Sequence, residues 1–251
     1  MDLSGKVAVV TGGGRGIGRA CARKLAEQGA EVAIIYRKKP ESAAAARAEI
    51  EALGRRCATY MCDVSDAALV AQTFAAIVES FGRIDILVNA AGLASWGNFI
   101  ADTSLEEWDK VLKADIYGPF HCIKQVLPVM RAQRSGHIVN ISSSITAAYP
   151  PTGGPYAVAK AGLEALTRVV AAEETGKGIH ANCLAPGLVD TDMGRKLMHV
   201  EDLKPLYAQM PFGRVCQPED VANAMLFLVS EEGSYIQGQV IYITGGKTLS
   251  L

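Results

Sequence analysis

The chain has 251 residues, 49% of them apolar, which suits one large α/β domain or at most two small ones. Its 25 basic and 26 acidic residues are well mixed and leave a net charge of −1, so no basic stripe marks a nucleic-acid face and no Lys/Arg cluster an anionic membrane surface. The opening "MDLSGKVAVV" lacks the basic start and long apolar run of a signal peptide, and the expected location is the cytoplasm.

In chain order, "KVAVV" is a short β-rich run. A glycine-rich turn follows, then a helical pattern in "IGRACARKLAEQG" that stops at glycine. "EVAIIY" predicts the next strand and 41–53 the next helix; "CATYMCDV" predicts a strand and "DAALVAQTFAAIVESFG" a helix. "IDILVNAAG" is a fourth strand running into small residues. Two helices are expected over about 104–132, a strand in "GHIVNIS" and a helix over about 155–175. "IHANCLA", a helix over about 218–230 and the strand "QVIYIT" complete the series. This alternation predicts a Rossmann-type doubly wound parallel sheet with helices on both faces, one domain over 1–251. The strands are nearly continuous apolar runs, as expected when both faces are covered. Every unusual loop follows a strand: 11–18, 36–39, 63–66, 89–96, 142–155 and 185–215. They are expected at the carboxyl edge of the sheet, where ligands bind.

Six cysteines, at 21, 57, 62, 122, 183 and 216, form no CxxC pair and read as reduced, buried thiols. The histidines at 121, 137, 180 and 199 share no ligand spacing, and no metal site is expected.

Two stretches carry chemistry. "TGGGRGIG" lies between the first strand and the first helix. Glycines there allow a tight turn and close approach to a pyrophosphate, and the helix N-terminus supplies N–H groups and a positive dipole. The spacing is not GxGxxG but TGxxxGxG: Thr11, Gly12, Gly16 and Gly18. The second is "SSSITAAYPPTGGPYAVAK". From Ser135 to Ala159 there is no charged residue; then Lys160 appears, one helical turn after Tyr156. A free tyrosine titrates near ~10, and a neighbouring ammonium is expected to lower that value until the phenol can exchange protons near neutrality. Taken alone, such a pair in a helix is more often an ordinary surface pair.

The ordered set resembles the short-chain dehydrogenase/reductase family over essentially the whole chain. Its marks are TGxxxGxG, "NAAG" at 89–92, Ser143 thirteen residues before Tyr156, YxxxK, and "NCLAPGLVDT" at 182–191. Arg15 stands where sugar-nucleotide epimerases of the wider family usually have glycine, which favours alcohol/carbonyl oxidoreductases. "PEDVANAMLFLVS" and "GQVIYITGG" are most similar to the 3-oxoacyl-[acyl-carrier-protein] reductase-like branch.

The resemblance implies residue roles. Tyr156 is the general acid/base, Lys160 holds the nicotinamide ribose, and Ser143 bonds the substrate oxygen while hydride passes to or from nicotinamide C4. Ser142 and Ser144 are expected to cap backbone groups. Thr11, Gly12, Arg15, Gly16, Ile17 and Gly18 belong to the phosphate turn. Tyr36, Arg37 and Lys38 replace the acidic residue with which relatives grip a ribose diol, and cations attract a 2′-phosphate, so NADP(H) is expected over NAD(H). Asp63 and Val64 meet the adenine, Asn89, Ala90 and Gly92 line the ribose and nicotinamide side, and Pro186, Gly187, Val189 and Thr191 contact the nicotinamide amide.

The resemblance also implies that residues 188–215, with Met193, Leu197 and Tyr207, form a substrate lid, and that Leu93, Ser95 and Trp96 form the facing wall. The assembly implied is a homotetramer built on the helices near 104–132 and 155–175. Asp115 stands where relatives have an asparagine beside the active-site lysine. The function expected is NADP(H)-dependent reduction of a ketone or 3-oxoacyl-type substrate. The alternatives are an NAD(H)-linked alcohol, sugar or steroid dehydrogenase, or a non-catalytic cofactor-binding sensor.

Overall fold

The structure, a computed structural model, describes residues 1–247. Seven strands form one sheet in the order β3-β2-β1-β4-β5-β6-β7, and every neighbouring pair is parallel. They are β1 (Val7–Thr11), β2 (Glu31–Tyr36), β3 (Cys57–Met61), β4 (Ile86–Asn89), β5 (Gly136–Ile141), β6 (Ile179–Pro186) and β7 (Val240–Ile243). The long connections are α1 (Gly16–Glu27), α2 (Pro40–Ala52), α3 (Ala67–Phe81), α4 (Leu105–Leu112) and α5 (Gly118–Gln133). The short α6 (Ile145–Ala148) precedes α7 (Gly154–Glu174), α8 (Asp192–Leu197) and α9 (Pro218–Leu228).

Successive side chains of a strand point to opposite faces, so each strand feeds two cores. In β1, Ala8 and Val10 join Leu25, Val221 and Met225 on the α1/α9 side. Val9, between them, joins Phe74, Ile77, Ile123 and Met130 on the α3/α5 side. Local sequence sets the ends of the helices. Asp66 accepts from the backbone N–H groups of Ala68 and Leu69 at the start of α3, and Gly82 closes that helix with φ 76°. Pro218 opens α9 behind a Gln217/Asp220 capping box.

Four segments differ from the expectation. β3 ends at Met61 rather than Val64, because Asp63 Oδ1 accepts from both the N–H and the hydroxyl of Ser65 and turns the chain. The 142–155 loop contains α6. The expected lid contains α8 and a 3₁₀ turn, Lys204–Gln209. Between α4 and α5, residues Lys113–Tyr117 form a wide π turn, a geometry common at functional sites.

The chain diverges on either side of β1 and β4, which places the topological switch point between them. One side chain ties the two departing loops together: Thr11 Oγ1 accepts from Ala90 N and Ala91 N, each at 3.1 Å. No helix among the described residues is long and apolar enough to cross a membrane.

Candidate active site

Above that switch point lies a groove of about 1290 Å³. It exceeds the ~300–1,000 Å³ of an ordinary small-molecule pocket and has room for a dinucleotide and a substrate together. All six post-strand loops contribute to it.

The glycine turn forms one end. Gly12 and Gly16 have φ of +67° and +52°, which L side chains rarely adopt. A Cβ on Gly12 would meet Ala91 N at 3.0 Å, and one on Gly18 would strike the Gly12 carbonyl. The glycines therefore let α1 press against its own turn and leave backbone at the groove surface. Arg15, extended at φ −158°, precedes α1 without a side-chain cap, and α1 has no acidic residue in its first turn. Those free N–H groups and the absence of a Cβ fit a pyrophosphate.

Gly12, Arg15, Gly16, Ile17, Gly18, Tyr36, Arg37, Lys38, Asp63, Val64, Ala90 and Gly92 all line the groove. So do Leu93, Trp96, Asp115, Ser143, Tyr156 and Lys160, and Pro186, Gly187, Val189, Thr191, Met193 and Leu197. Four expected residues lie elsewhere. Thr11 sits beneath the floor, tying the loops. Asn89 is buried, donating to Asn140 at 2.8 Å, and Asn140 passes the chain to Thr167. Ser95 points away, its hydroxyl donating to Glu107 at 2.6 Å. Tyr207 lies in the 3₁₀ turn and does not line the groove.

At the other end, α7 presents Tyr156 and Lys160 on one face. Lys160 Nζ lies 5.5 Å from the centre of the Tyr156 ring. The ammonium donates to the Ile141 carbonyl at 2.9 Å and lies 2.9 Å from Asp115 Oδ1. Asp115 is fully buried, and its Oδ2 accepts from Leu93 N at 2.7 Å. Oδ1 has the ammonium as its close charged partner. Gly92 makes room for the pair, since a Cβ there would lie 2.5 Å from Asp115 Oδ1.

Burial pushes the Asp115 carboxyl above its ordinary pKa, against the pull of Lys160. Burial alone would lower Lys160, but Asp115 and Tyr156 outweigh it and hold the ammonium above its ordinary value. Tyr156 was expected to be lowered, and its direction is upward. Burial of the phenol is the largest cause, and Asp115 adds to it against Lys160 and the Ser143 hydrogen bond. The carboxylate at 115, in place of the relatives' asparagine, already predicts a partial cancellation of the lysine's pull; the burial of the phenol is what turns the net direction upward.

The serines also sort differently. Ser143 lines the groove with Tyr156, its Oγ accepting from Ile145 N at 3.3 Å, while Ser142 caps no backbone group and donates to the carboxylate of Glu164 at 2.7 Å. Glu164 is a site residue the motifs do not mark; its signal in the sequence is that it continues the i, i+4 series from Tyr156 and Lys160. Asp192, also unmarked, reaches from α8 to Arg15 at 3.2 Å and to Lys39 at 3.9 Å. Arg37 faces Asp63 at 3.5 Å.

Such a site, on a parallel sheet with a phosphate-binding turn and a Ser-Tyr-Lys set, defines a class of nicotinamide-dependent oxidoreductase. Comparison with known proteins agrees. The family model described as enoyl-(acyl carrier protein) reductase matches residues 12–248. The 3-oxoacyl-[acyl-carrier-protein] reductase FabG of Staphylococcus aureus is 39% identical over 242 residues, 96% of this chain and 97% of that protein. A solved levodione reductase superposes with a TM-score of 0.92 at 33% identity, covering 98% of each chain. An NAD+-bound xylitol dehydrogenase also reaches 0.92, at 28% identity, covering 98% of this chain and all of that one. The chain belongs to the short-chain dehydrogenase/reductase family and is an NAD(P)-dependent oxidoreductase of the carbonyl reductase kind.

Proposed function

We propose that the protein reduces a ketone or 3-oxoacyl-type substrate with NADP(H), and oxidises the matching alcohol in reverse. The observation that carries this reading is the convergence of Ser143, Tyr156 and Lys160 on one wall of a groove that ends at an uncapped, glycine-rich helix start. When bound, the nicotinamide supplies or accepts hydride at C4 and, in its oxidised form, adds positive charge to the site. Tyr156 gives its proton to the carbonyl oxygen during reduction and takes one from the alcohol during oxidation. The Ser143 hydroxyl donates to that same oxygen and steadies its developing charge. Lys160, held by Ile141 and Asp115, stabilises the phenolate that remains.

The glycine turn would hold the pyrophosphate, Asp63 and Val64 the adenine, and Arg15, Arg37 and Lys38 a 2′-phosphate. Residues 188–215 act as the substrate lid, and Met193, Leu197, Leu93 and Trp96 all line the groove. The working assembly is a homotetramer in the cytoplasm. Exposed Leu105, Tyr117 and Phe120, with Val158 and Val169 of α7, support that assembly. All six cysteines are free and five are buried, which suits a reducing compartment.

A second reading, NAD(H) use, is favoured by one observation. Arg37 and Arg15 already face Asp63 and Asp192, so part of the cationic charge has carboxylate partners. A panel of ketones and 3-oxoacyl thioesters, followed by NADPH and NADH absorbance, separates the readings. Turnover with a clear NADPH preference supports the first, an NADH preference the second, and no turnover on any substrate refutes both.

A further inference from the structure

Behind the wall that carries Ser143 lies a buried carboxylate unused by the reaction just described. Glu164 is 5% exposed and stands on α7, one turn beyond Lys160 and two beyond Tyr156. Its Oε1 accepts from Ser142 Oγ at 2.7 Å and from Thr146 Oγ1 at 2.6 Å. These residues bracket Ser143. Ser142 is also anchored to β6, its N–H donating to the Leu184 carbonyl at 2.7 Å. Thr146 lies in α6 and touches Tyr242 Oη at 3.1 Å.

Counting hydrogens fixes the direction of these bonds. Thr146 has one hydroxyl hydrogen and three neighbours: Glu164, the Ser143 carbonyl at 2.9 Å and Tyr242. A carboxylate is the strongest acceptor of the three, so the hydrogen goes to Glu164. Tyr242 then donates to Thr146, and the Ser143 carbonyl accepts the Thr146 backbone N–H at 3.2 Å. Every hydroxyl in the cluster then has a partner. The nearest cation, Arg168 at 4.0 Å, is mostly solvated, so the two hydroxyls carry most of the carboxylate's stabilisation.

We propose that Glu164 is a positioning residue for the reaction: its carboxylate grips Ser142 and Thr146 and fixes the turn that presents Ser143 to the groove Tyr156 also lines. The inference rests on the proposed function for its rate effect but not for the clamp itself. One rigid helix then sets the positions of the base, the cation and the oxygen-binding hydroxyl together, two of them directly and the third through a carboxylate.

The test compares Glu164→Ala and Glu164→Gln with the wild type, each also in a Ser143→Ala background. Acetoacetyl-CoA reduction by NADPH is read as kcat and KM, cofactor affinity by fluorescence titration, and the 142–148 segment by amide hydrogen exchange. Misplacement of a reacting group costs up to about a hundredfold, so Glu164→Ala is expected to lose on the order of ten- to a hundredfold in kcat. NADPH affinity stays unchanged, exchange in 142–148 speeds up, and Glu164→Gln, which keeps the acceptor, recovers most of the rate. Without the Ser143 hydroxyl, Glu164→Ala is expected to cost little more, because the two act as one unit. An equal loss in both backgrounds, or unchanged exchange in 142–148, overturns the inference. If Glu164→Ala fails to fold, Ser142→Ala combined with Thr146→Val removes the same anchors from the loop side and is judged by the same outcomes. A wild type inactive on every substrate, with exchange still accelerated in Glu164→Ala, supports the clamp and refutes the proposed function. An active wild type with a Glu164→Ala variant unchanged in rate and exchange does the reverse.

Discussion

Asp115 Oδ1 stands 2.9 Å from Lys160 Nζ, so the cation beside the reactive phenol carries its own buried counter-charge. That carboxylate acts on Tyr156 in the direction opposite to the lysine, raising its pKa. Oxidation needs the phenolate, so its rate rises as pH climbs through the Tyr156 pKa. Asp115→Asn removes the opposing charge and lowers that pKa. The alcohol-oxidation profile of the variant is expected to move to lower pH by on the order of one unit. Superimposable profiles for the two proteins would rule out the charge argument.

Tyr156→Phe removes the proton-transfer hydroxyl and little else. Turnover is expected to fall by at least ~10²-fold, the lower range for loss of a positioned acid/base. NADPH affinity is expected to stay within about twofold, because the phenol's reacting oxygen serves the substrate. Steady-state rates and a cofactor titration on the same preparation check both. A variant that keeps more than a few per cent of the rate places the proton donor elsewhere.

Arg37→Asp is expected to move preference from NADPH toward NADH. It exchanges an attractive charge for a repulsive one and sets a second carboxylate beside Asp63, 3.5 Å from the present guanidinium. The ratio of kcat/KM for the two cofactors is expected to change by tenfold or more, about 1.4 kcal/mol. An unmoved ratio would pass the discrimination to Arg15 and Lys38.

The strand arrangement, the phosphate turn and the Tyr156–Lys160 pair were legible because each depends on local spacing. Apolar runs give strands, glycines give the turn, and four residues make one helical turn. Ser95, Asn89 and Glu164 were not legible for the converse reason. Ser95 turns toward Glu107, Asn89 toward Asn140, and Glu164 toward Ser142 and Thr146, all partners distant in sequence. The sign of the Tyr156 shift was legible in part. The acidic residue at 115 announces an opposing charge, but the burial of the phenol, the larger cause, leaves no periodic trace.

A different pair is expected to weaken the fold toward acid pH. His137 and His180 are register partners on β5 and β6, with rings stacked at 4.9 Å and neither Nδ1 hydrogen-bonded. Burial, with the neighbouring His180 and Lys6, lowers His137 from 6.5 to about 4, against the Leu228 backbone and Asp85. The unfolded chain binds a proton near 6.5 and the folded one does not until about 4, so stability is full above 6.5 and declines between those values. His137→Phe keeps a ring on His180 without a titrating group. Melting temperatures across that window are expected to fall less steeply in the variant. Parallel curves would assign the acid limb to other groups.

The π turn at Lys113–Tyr117 also separates chain length from packing. It absorbs one surplus residue, so α4 and α5 keep the faces that a plain helix one residue shorter would present. Deleting Ile116 would regularise the turn, preserve both helices and swing Asp115 by up to about 100° away from Lys160. In genetic terms, one inserted codon is enough to turn an ordinary helix into a wall of this active site, and one lost codon is enough to undo it.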